Sequence, residues 1–205
     1  MPEKVIPDIV VGRLPIYLRA LQRMLEENRR ITSSQELGER LGISAPQIRK
    51  DLSQFGEFGK QGTGYSIDYL AGQIRQILHG DRVWDMAVVG AGGIGSAVAR
   101  YQGFSNRGFR VAMIFDSDPA KIGTQVGSFT VKDTKTIKES IREAGIQVAM
   151  IATPNQAAQE VAEELVSAGV KAILNYAPIN LSVPKNVRVQ YTDPVIHLQR
   201  MTYYL

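Results

Sequence analysis

The sequence predicts an α/β chain in two folded parts, an N-terminal winged-helix domain and a Rossmann-like parallel-sheet domain, with a further helix at the C-terminus. Three observations carry this prediction. Residues 86–95 read MAVVGAGGIG, an apolar strand-type run that leads into Gly90, Gly92 and Gly95 at the spacing G-x-G-x-x-G. Downstream, strand and helix patterns alternate, as a parallel sheet covered by helices requires. Upstream, two short helical patterns meet at a glycine turn and are followed by a glycine-rich stretch, the order of a helix-turn-helix and its wing. A chain of 205 residues has room for two such cores. The expected boundaries are 1–80, 81–192 and 193–205.

Composition excludes several chemistries. The absence of cysteine removes disulfides, thiolate nucleophiles and cysteine-bound metals, and two histidines, His79 and His197, leave little for an imidazole metal site. No metal is expected. The amino terminus lacks a signal-peptide pattern, and no apolar run approaches the roughly 20 residues that span a bilayer, so the expectation is a cytoplasmic protein without a membrane partner. The net charge of +4 divides evenly: residues 1–82 hold 12 basic and 10 acidic side chains, and residues 83–205 hold the same numbers. Charge alone therefore does not identify a nucleic-acid binder.

In chain order, the first residues are proline-rich and lead to a helix with Pro15 near its first turn and Ile16, Leu18, Leu21, Met24 and Leu25 on its apolar face. Ser33 with Glu36 offers a capping box for a short helix closed by Gly42, and Ser44 with Gln47 opens the next. In that second helix Ala45, Ile48, Leu52 and Phe55 share one face, while Gln47, Lys50, Ser53 and Gln54 project from the other and Arg49 lies at the flank. Such a face suits duplex DNA, with Arg49 or Lys50 on phosphate and Gln47, Ser53 and Gln54 on base edges. It also describes an ordinary solvated helix. The stretch GEFGKQGTGY, residues 56–65, suits a hairpin that projects Lys60 between two short strands. A helix then connects the domains between Ile67 and Arg82, and His79 at its end is a surface or packing residue.

In the second domain Gly90 permits a tight turn, Gly92 lets the backbone approach a pyrophosphate, and Gly95 lets the following helix pack closely on the strand. Ile94, Ala97, Val98 and Tyr101 form the expected sheet-facing side of that helix. The next strand, Arg110 to Phe115, ends at Asp116, 21 residues beyond Gly95 and near the place of a ribose-binding carboxylate. A dinucleotide site is the favoured reading, and Asp116 with no neighbouring arginine favours NADH over NADPH. Further strand and helix signals run over residues 147–153, 156–168 and 171–175. Loops follow at Ala152-Thr153-Pro154 and Asn175-Tyr176-Ala177-Pro178, and the residues alone allow either ligand-facing loops or proline punctuation. Asp193 and Pro194 open a terminal helix whose apolar residues Val195, Leu198, Met201 and Leu205, with Ile196, Tyr203 and Tyr204, occupy more than one face. A partner chain would cover what one domain cannot.

The segment SAPQIRKDLSQFGEFGKQGTGY, residues 44–65, is similar to the DNA-binding signature of the Rex family of redox-sensing transcriptional repressors. The resemblance continues through VVGAGGIG, FDSDPAKIG, ILNYAP and the segment from Asp193 to Leu205, and so covers nearly the whole chain. It implies a repressor that binds operator DNA as a homodimer, exchanges its terminal helix between subunits, and leaves DNA when NADH binds. The resemblance assigns the cofactor to Gly90, Ala91, Gly92, Gly93, Ile94, Gly95, Tyr101, Asp116, Ser117, Lys121, Thr153, Pro154, Asn175, Tyr176 and Ala177. DNA falls to Ser44, Gln47, Arg49, Lys50, Ser53, Gln54, Lys60 and Gln61, and coupling between the sites to Arg13, Tyr101 and Asp193. Gln54 stands where the family usually has tyrosine, and Gln61 where the wing usually has a basic residue. Two other readings share the glycine turn. An NAD-dependent oxidoreductase with an accessory winged helix needs a proton donor near the nicotinamide, for which only His197 and Lys171 stand out, neither in a catalytic motif. A CoA-binding module leaves Asp116 and the winged helix without a joint purpose. No catalytic residue is assigned.

Overall fold

The computed structural model describes residues 6–59 and 63–205. The chain divides into two compact units, Met1–Arg82 and Val83–Leu205.

In the first unit α1 (Asp8–Glu26) starts at the N-cap Pro7, with Asp8 in its first turn. The helix therefore starts a full two turns before the sequence prediction, and Pro15 lies inside it. It is tolerated on the exposed side of the helix, where both Pro15 and Val11, whose carbonyl loses its intrahelical partner, are exposed. The opposite face carries Leu14, Tyr17, Leu21 and Met24, all fully buried. β1 (Ile31–Thr32) precedes α2 (Ser34–Leu41), which Gly42 closes at φ +68°, and α3 (Ala45–Leu52) follows at once. Ser33 Oγ accepts from the Glu36 amide at 3.1 Å, one half of the expected capping box. The other half is absent because the Glu36 carboxylate is taken by Thr32 Oγ1 and Arg29.

β2 (Tyr65–Ser66) leads into α4 (Ile67–Ile77). The expected hairpin, with a strand on each side of Lys60, is not what forms: residues 53–59 contain no strand, and β2 pairs antiparallel with β1. Lys60 and Gln61 lie outside the described residues. Leu37, Ile48 and Leu52 of the helix-turn-helix close the core of this unit against α1 and against Ile67, Leu70 and Ile74 of α4.

The second unit runs β3 (Trp84–Val89), α5 (Gly93–Arg100), a 3-10 turn (Gln102–Arg107), β4 (Phe109–Asp116), the small hairpin β5 (Gln125–Val126) and β6 (Phe129–Thr130), and β7 (Lys132–Asp133). It continues through α6 (Ile137–Ala144), β8 (Val148–Ile151), α7 (Asn155–Ala168), β9 (Ala172–Asn175), β10 (Arg188–Tyr191) and α8 (Pro194–Thr202). Six strands form one parallel sheet in the order β10-β9-β8-β3-β4-β7. The apolar run in β3 follows from burial on both faces: Ala87 and Val89 enter one core, Met86 and Val88 the other. Strand order reverses between β3 and β8, and ligands of open parallel sheets bind at the carboxyl ends of strands at such a reversal.

The face of α5 differs from expectation. Gly95 and Ala99 are its buried residues, whereas Ile94 and Tyr101 are each 51 % exposed and Ala97 is also exposed. The helix lies so close to the sheet at Gly95 that Gly95 and Ala99 take most of the contact; of the residues expected on this side, Val98 packs against the core as expected. In α8 Asp193 Oδ1 accepts from the Val195 amide at 2.9 Å, the predicted cap, and every helical residue is exposed. No helix among the described residues is long and apolar enough to cross a membrane.

Candidate functional site

The turn between β3 and α5 is built by three glycines with three different tasks. Gly90 sits at φ +104°, and its amide donates to the Phe115 carbonyl at 2.7 Å, so a side chain there would meet both a left-handed backbone and the Ala152 carbonyl. At Gly95 a Cβ would overlap the Gly90 carbonyl oxygen, which fixes the helix against the strand end. At Gly92 a Cβ would meet no protein atom within 4 Å, because that side opens onto a cleft. The first amides of α5 thus stand beside open space, the arrangement in which a helix N-terminus receives a phosphate.

The cleft has a volume of about 640 Å³ and is lined by Gly90, Gly92, Gly93 and Ile94 of the turn, by Asp116, Ser117, Asp118 and Lys121 after β4, and by Ala152, Thr153 and Pro154 after β8. Asp116, 7 % exposed, forms one wall. Its Oδ2 accepts from the Ala91 amide at 2.7 Å and from Lys121 Nζ at 3.1 Å, and its Oδ1 accepts from the Asp118 amide at 2.9 Å. Burial pushes this carboxyl upward, but the two backbone donors and Lys121 outweigh it, so Asp116 lies below the ordinary aspartate value and is charged at neutral pH. With roughly four acceptor directions on a carboxylate, one remains on Oδ1 for a ligand hydroxyl. Asp118, Glu160 and Glu164 also face the cleft, so its outer part is acidic apart from Lys121. Thr153 Oγ1 is buried without a partner, a polar atom left for a ligand to satisfy.

These features fit a dinucleotide. Amides of residues 92–94 would receive the pyrophosphate and Asp116 a ribose hydroxyl. Of the residues assigned to the cofactor, Gly90, Gly92, Gly93, Ile94, Asp116, Ser117, Lys121, Thr153 and Pro154 line this cleft. Ala91 and Gly95 are not among its walls: the Ala91 amide donates to Asp116, and Gly95 packs on the Gly90 carbonyl. Asn175, Tyr176 and Ala177 are not among its walls. Asn175 is buried with its amide spent on its own loop, donating to the Ala177 and Ile179 carbonyls and accepting from the Ala177 amide, so its work is to hold the β9 loop. Tyr101 stands outside the cleft, edge-on to Phe104 at 5.0 Å between ring centroids. The residues missed from sequence were Asp118, Thr134, Glu160 and Glu164; the i,i+4 spacing of the two glutamates on α7 was the available signal.

In the first unit Ser44, Arg49, Lys50 and Ser53 are exposed and Gln47 is half-exposed. Ser53 and Gln54 lie past the end of α3, where Ser53 Oγ and Gln54 Nε2 both donate to the Lys50 carbonyl. Arg49 reaches back to Ser34 Oγ at 3.0 Å, so it ties α3 to the start of α2. Beneath this face is a buried acid that sequence patterning overlooked. Asp51, 0 % exposed, accepts from Arg13 Nε at 2.5 Å, Arg13 Nη2 at 2.7 Å, Tyr17 Oη at 2.6 Å and Gln47 Nε2 at 2.7 Å. Burial pushes Asp51 upward, yet hydrogen bonds from Arg13, Tyr17 and Gln47 hold it below the ordinary aspartate value. Burial and the same carboxylate push the Tyr17 hydroxyl well above its usual range, so it remains a donor. Of the residues that the resemblance assigns to coupling, Arg13 pairs with Asp51, Tyr101 packs on Phe104, and Asp193 caps its helix.

A helix-turn-helix unit joined to a unit with a dinucleotide-type cleft defines a class of ligand-responsive DNA-binding regulators. Models of two families match the chain: "putative DNA-binding protein N-terminus" over residues 5–53 and "CoA binding domain" over residues 81–179. The chain is 53 % identical over 199 residues to the redox-sensing transcriptional repressor Rex of Chloroflexus aurantiacus, covering 97 % of this chain and 94 % of that protein. It is 45 % identical over 204 residues to the redox-sensing transcriptional repressor Rex 1 of Thermotoga maritima, covering 99 % and 97 %. Among solved structures, it is similar to RSP in complex with β-NAD+ and operator DNA, with a TM-score of 0.93, 36 % identity and coverage of 98 % and 93 %. The RSP complex with β-NADH gives a TM-score of 0.89 at 34 % identity, covering 98 % and 95 %. The chain belongs to the Rex family of redox-sensing transcriptional repressors. Its relatives are regulators, so the oxidoreductase reading is set aside. The CoA-domain match reflects the shared sheet and glycine turn.

Proposed function

We propose that this chain acts as a homodimeric repressor that binds operator DNA through α3 and the wing and releases it when NADH enters the cleft behind Gly90. The observation that carries the reading is the joint presence, in one Rex-family chain, of a charged Asp116 beside an open helix N-terminus and of a helix-turn-helix with an exposed polar face. A bound nicotinamide dinucleotide would supply the redox signal. The chain's residues do the rest: amides of residues 92–94 hold the pyrophosphate, Asp116 orients the adenosine ribose, and Thr153 offers its hydroxyl. Ser44, Gln47 and Lys50 meet the duplex, with Lys60 assigned to it by the family resemblance.

The dimer reading rests on α8 and the residues after it. Val195, Ile196, Leu198, Met201, Tyr203, Tyr204 and Leu205 are all exposed, an apolar surface that a second chain would cover by exchange of the terminal helices. Arg13, Tyr101 and Asp193 would link the sites in that dimer. Asp193 would draw Arg13 from Asp51 in one arrangement and release it in the other, and exposed Tyr101 would contact the neighbouring subunit near its nicotinamide. The test is fluorescence anisotropy of a labelled duplex, selected by the protein from a random pool, titrated with protein in the presence of NADH or NAD+. Release by NADH at a protein mass of two chains supports the reading. Equal binding in both cofactors overturns it.

A further inference from the structure

The Gln47 amide is held from below by a group that dictates which of its atoms face outward. Asp51 is a carboxylate kept ionised by Arg13 and Tyr17, so it can only accept, and the Gln47 atom 2.7 Å from Asp51 Oδ1 must be the nitrogen. The usual ambiguity of a glutamine amide is removed by chemistry. Asp51 is the one side-chain partner of that amide among the described residues. Where Asp51 takes the N–H that points away from the amide oxygen, the other N–H and the Oε1 of Gln47 lie side by side, at the first turn of α3 on a half-exposed residue. One donor beside one acceptor matches the N7 and N6 edge of adenine in the major groove. It does not match guanine, which offers two acceptors there.

We propose that Asp51 is a specificity-positioning residue: by holding Gln47 in one amide orientation it sets the helix to read adenine at one base pair of each half-site. The proposal rests on the repressor reading above and adds a rule of base choice to it. Asp51 touches no DNA itself. Its Oδ2 takes Arg13 Nε and Tyr17 Oη from α1, and its Oδ1 takes Arg13 Nη2 and Gln47 Nε2, so the orientation of a base-reading side chain is fixed by a helix that lies behind it.

The substitution Asp51→Asn tests the rule with little change in shape. An asparagine keeps its oxygen toward Arg13 Nε and Tyr17 and turns its NH2 toward Gln47 and Arg13 Nη2, so the Nη2 hydrogen bond is given up and Arg13 is held through Nε alone. Gln47 then rotates to accept, leaving two N–H donors outward, the pattern guanine takes. Full-length wild type first selects its duplex from a random pool, and affinities are then measured for every single base-pair variant of that duplex. Wild type should prefer adenine by about tenfold or more at one pair per half-site. Gln47→Ala should flatten that pair alone. Asp51→Asn should move the same pair toward guanine, and should change nothing further at that pair in the Gln47→Ala background.

A merely structural Asp51 would weaken all duplexes by one factor and leave the base profile unchanged, which overturns the proposal. Should Asp51→Asn not fold, Gln47→Ala decides: loss confined to one adenine supports the proposal, and a uniform or absent change overturns it. Failure of wild type to enrich any duplex would instead refute the repressor reading.

Discussion

Replacing Tyr17 by phenylalanine removes one hydroxyl from the centre of the first unit and nothing else. Its Oη donates to Asp51 Oδ2 at 2.6 Å, with both residues fully buried. Asp51 would keep Arg13 and Gln47, so no charge is orphaned and the cost is that of one hydrogen bond to a charged group, about 1.5–3 kcal/mol. For a unit of this size each kcal/mol lowers the melting temperature by about 4–8 °C, so calorimetry of the full-length protein at pH 7 should show a fall of roughly 6–24 °C in the transition that contains this unit. The hydroxyl binds the carboxylate in its charged form. Because the folded-state value of Asp51 is depressed, the stability it contributes is fully present above the unfolded aspartate value near pH ~4 and is lost as pH falls through the lower folded value. The gap between wild type and Tyr17→Phe should therefore narrow below pH ~4. A melting temperature unchanged at pH 7, or a gap independent of pH in that range, would refute the role given to this network.

The cofactor cleft gives further expectations. Asp116→Ala should weaken NADH at least about tenfold in a direct titration, because one charged acceptor for the ribose is lost. NADPH should bind wild type more weakly than NADH: a 2′-phosphate would meet Asp116 and Asp118, and like charges near 4 Å repel by up to about 4 kcal/mol at an effective dielectric of 20. Lys121 offsets part of this, so Lys121→Ala should widen the preference, and equal binding of the two nucleotides would sink the assignment. Gly95→Ala forces a Cβ onto the Gly90 carbonyl oxygen and should abolish NADH binding while leaving DNA binding by the first unit measurable. Lys50→Ala should weaken every duplex similarly and flatten the log-log salt slope by about one unit per half-site.

What the sequence disclosed is what local chemistry determines. The glycine turn, the strand before it and Asp116 are legible because turn, strand end and carboxylate occur at fixed offsets along one βαβ unit. The caps at Ser33, Ser44 and Asp193 are legible for the same reason. Asp51 was not: in the helical pattern it is one more charged residue, and the donors that bury it lie on α1, 34 and 38 residues away. The strand partner of Tyr65 was missed because pairing with Thr32 is equally non-local. Periodicity also misjudged α5. Val98 packs as periodicity expects, but Gly95 brings the backbone onto the strand end and leaves Ile94 and Tyr101 exposed. The loop at Asn175, which the residues alone left open between ligand-facing loop and proline punctuation, has the Asn175 amide bound within it, a contact that spacing does not reveal.

The central claim is that two binding sites on one chain oppose each other, and linkage makes that claim measurable from either end. NADH affinity should be determined by titrating the protein's nucleotide fluorescence with and without saturating operator duplex, in the same buffer. If NADH weakens DNA binding tenfold, a coupling of about 1.4 kcal/mol, then operator DNA must weaken NADH binding tenfold as well. Asp193→Ala should reduce that factor more than it changes NADH affinity in the absence of DNA. The same NADH affinity with and without saturating operator would contradict the account.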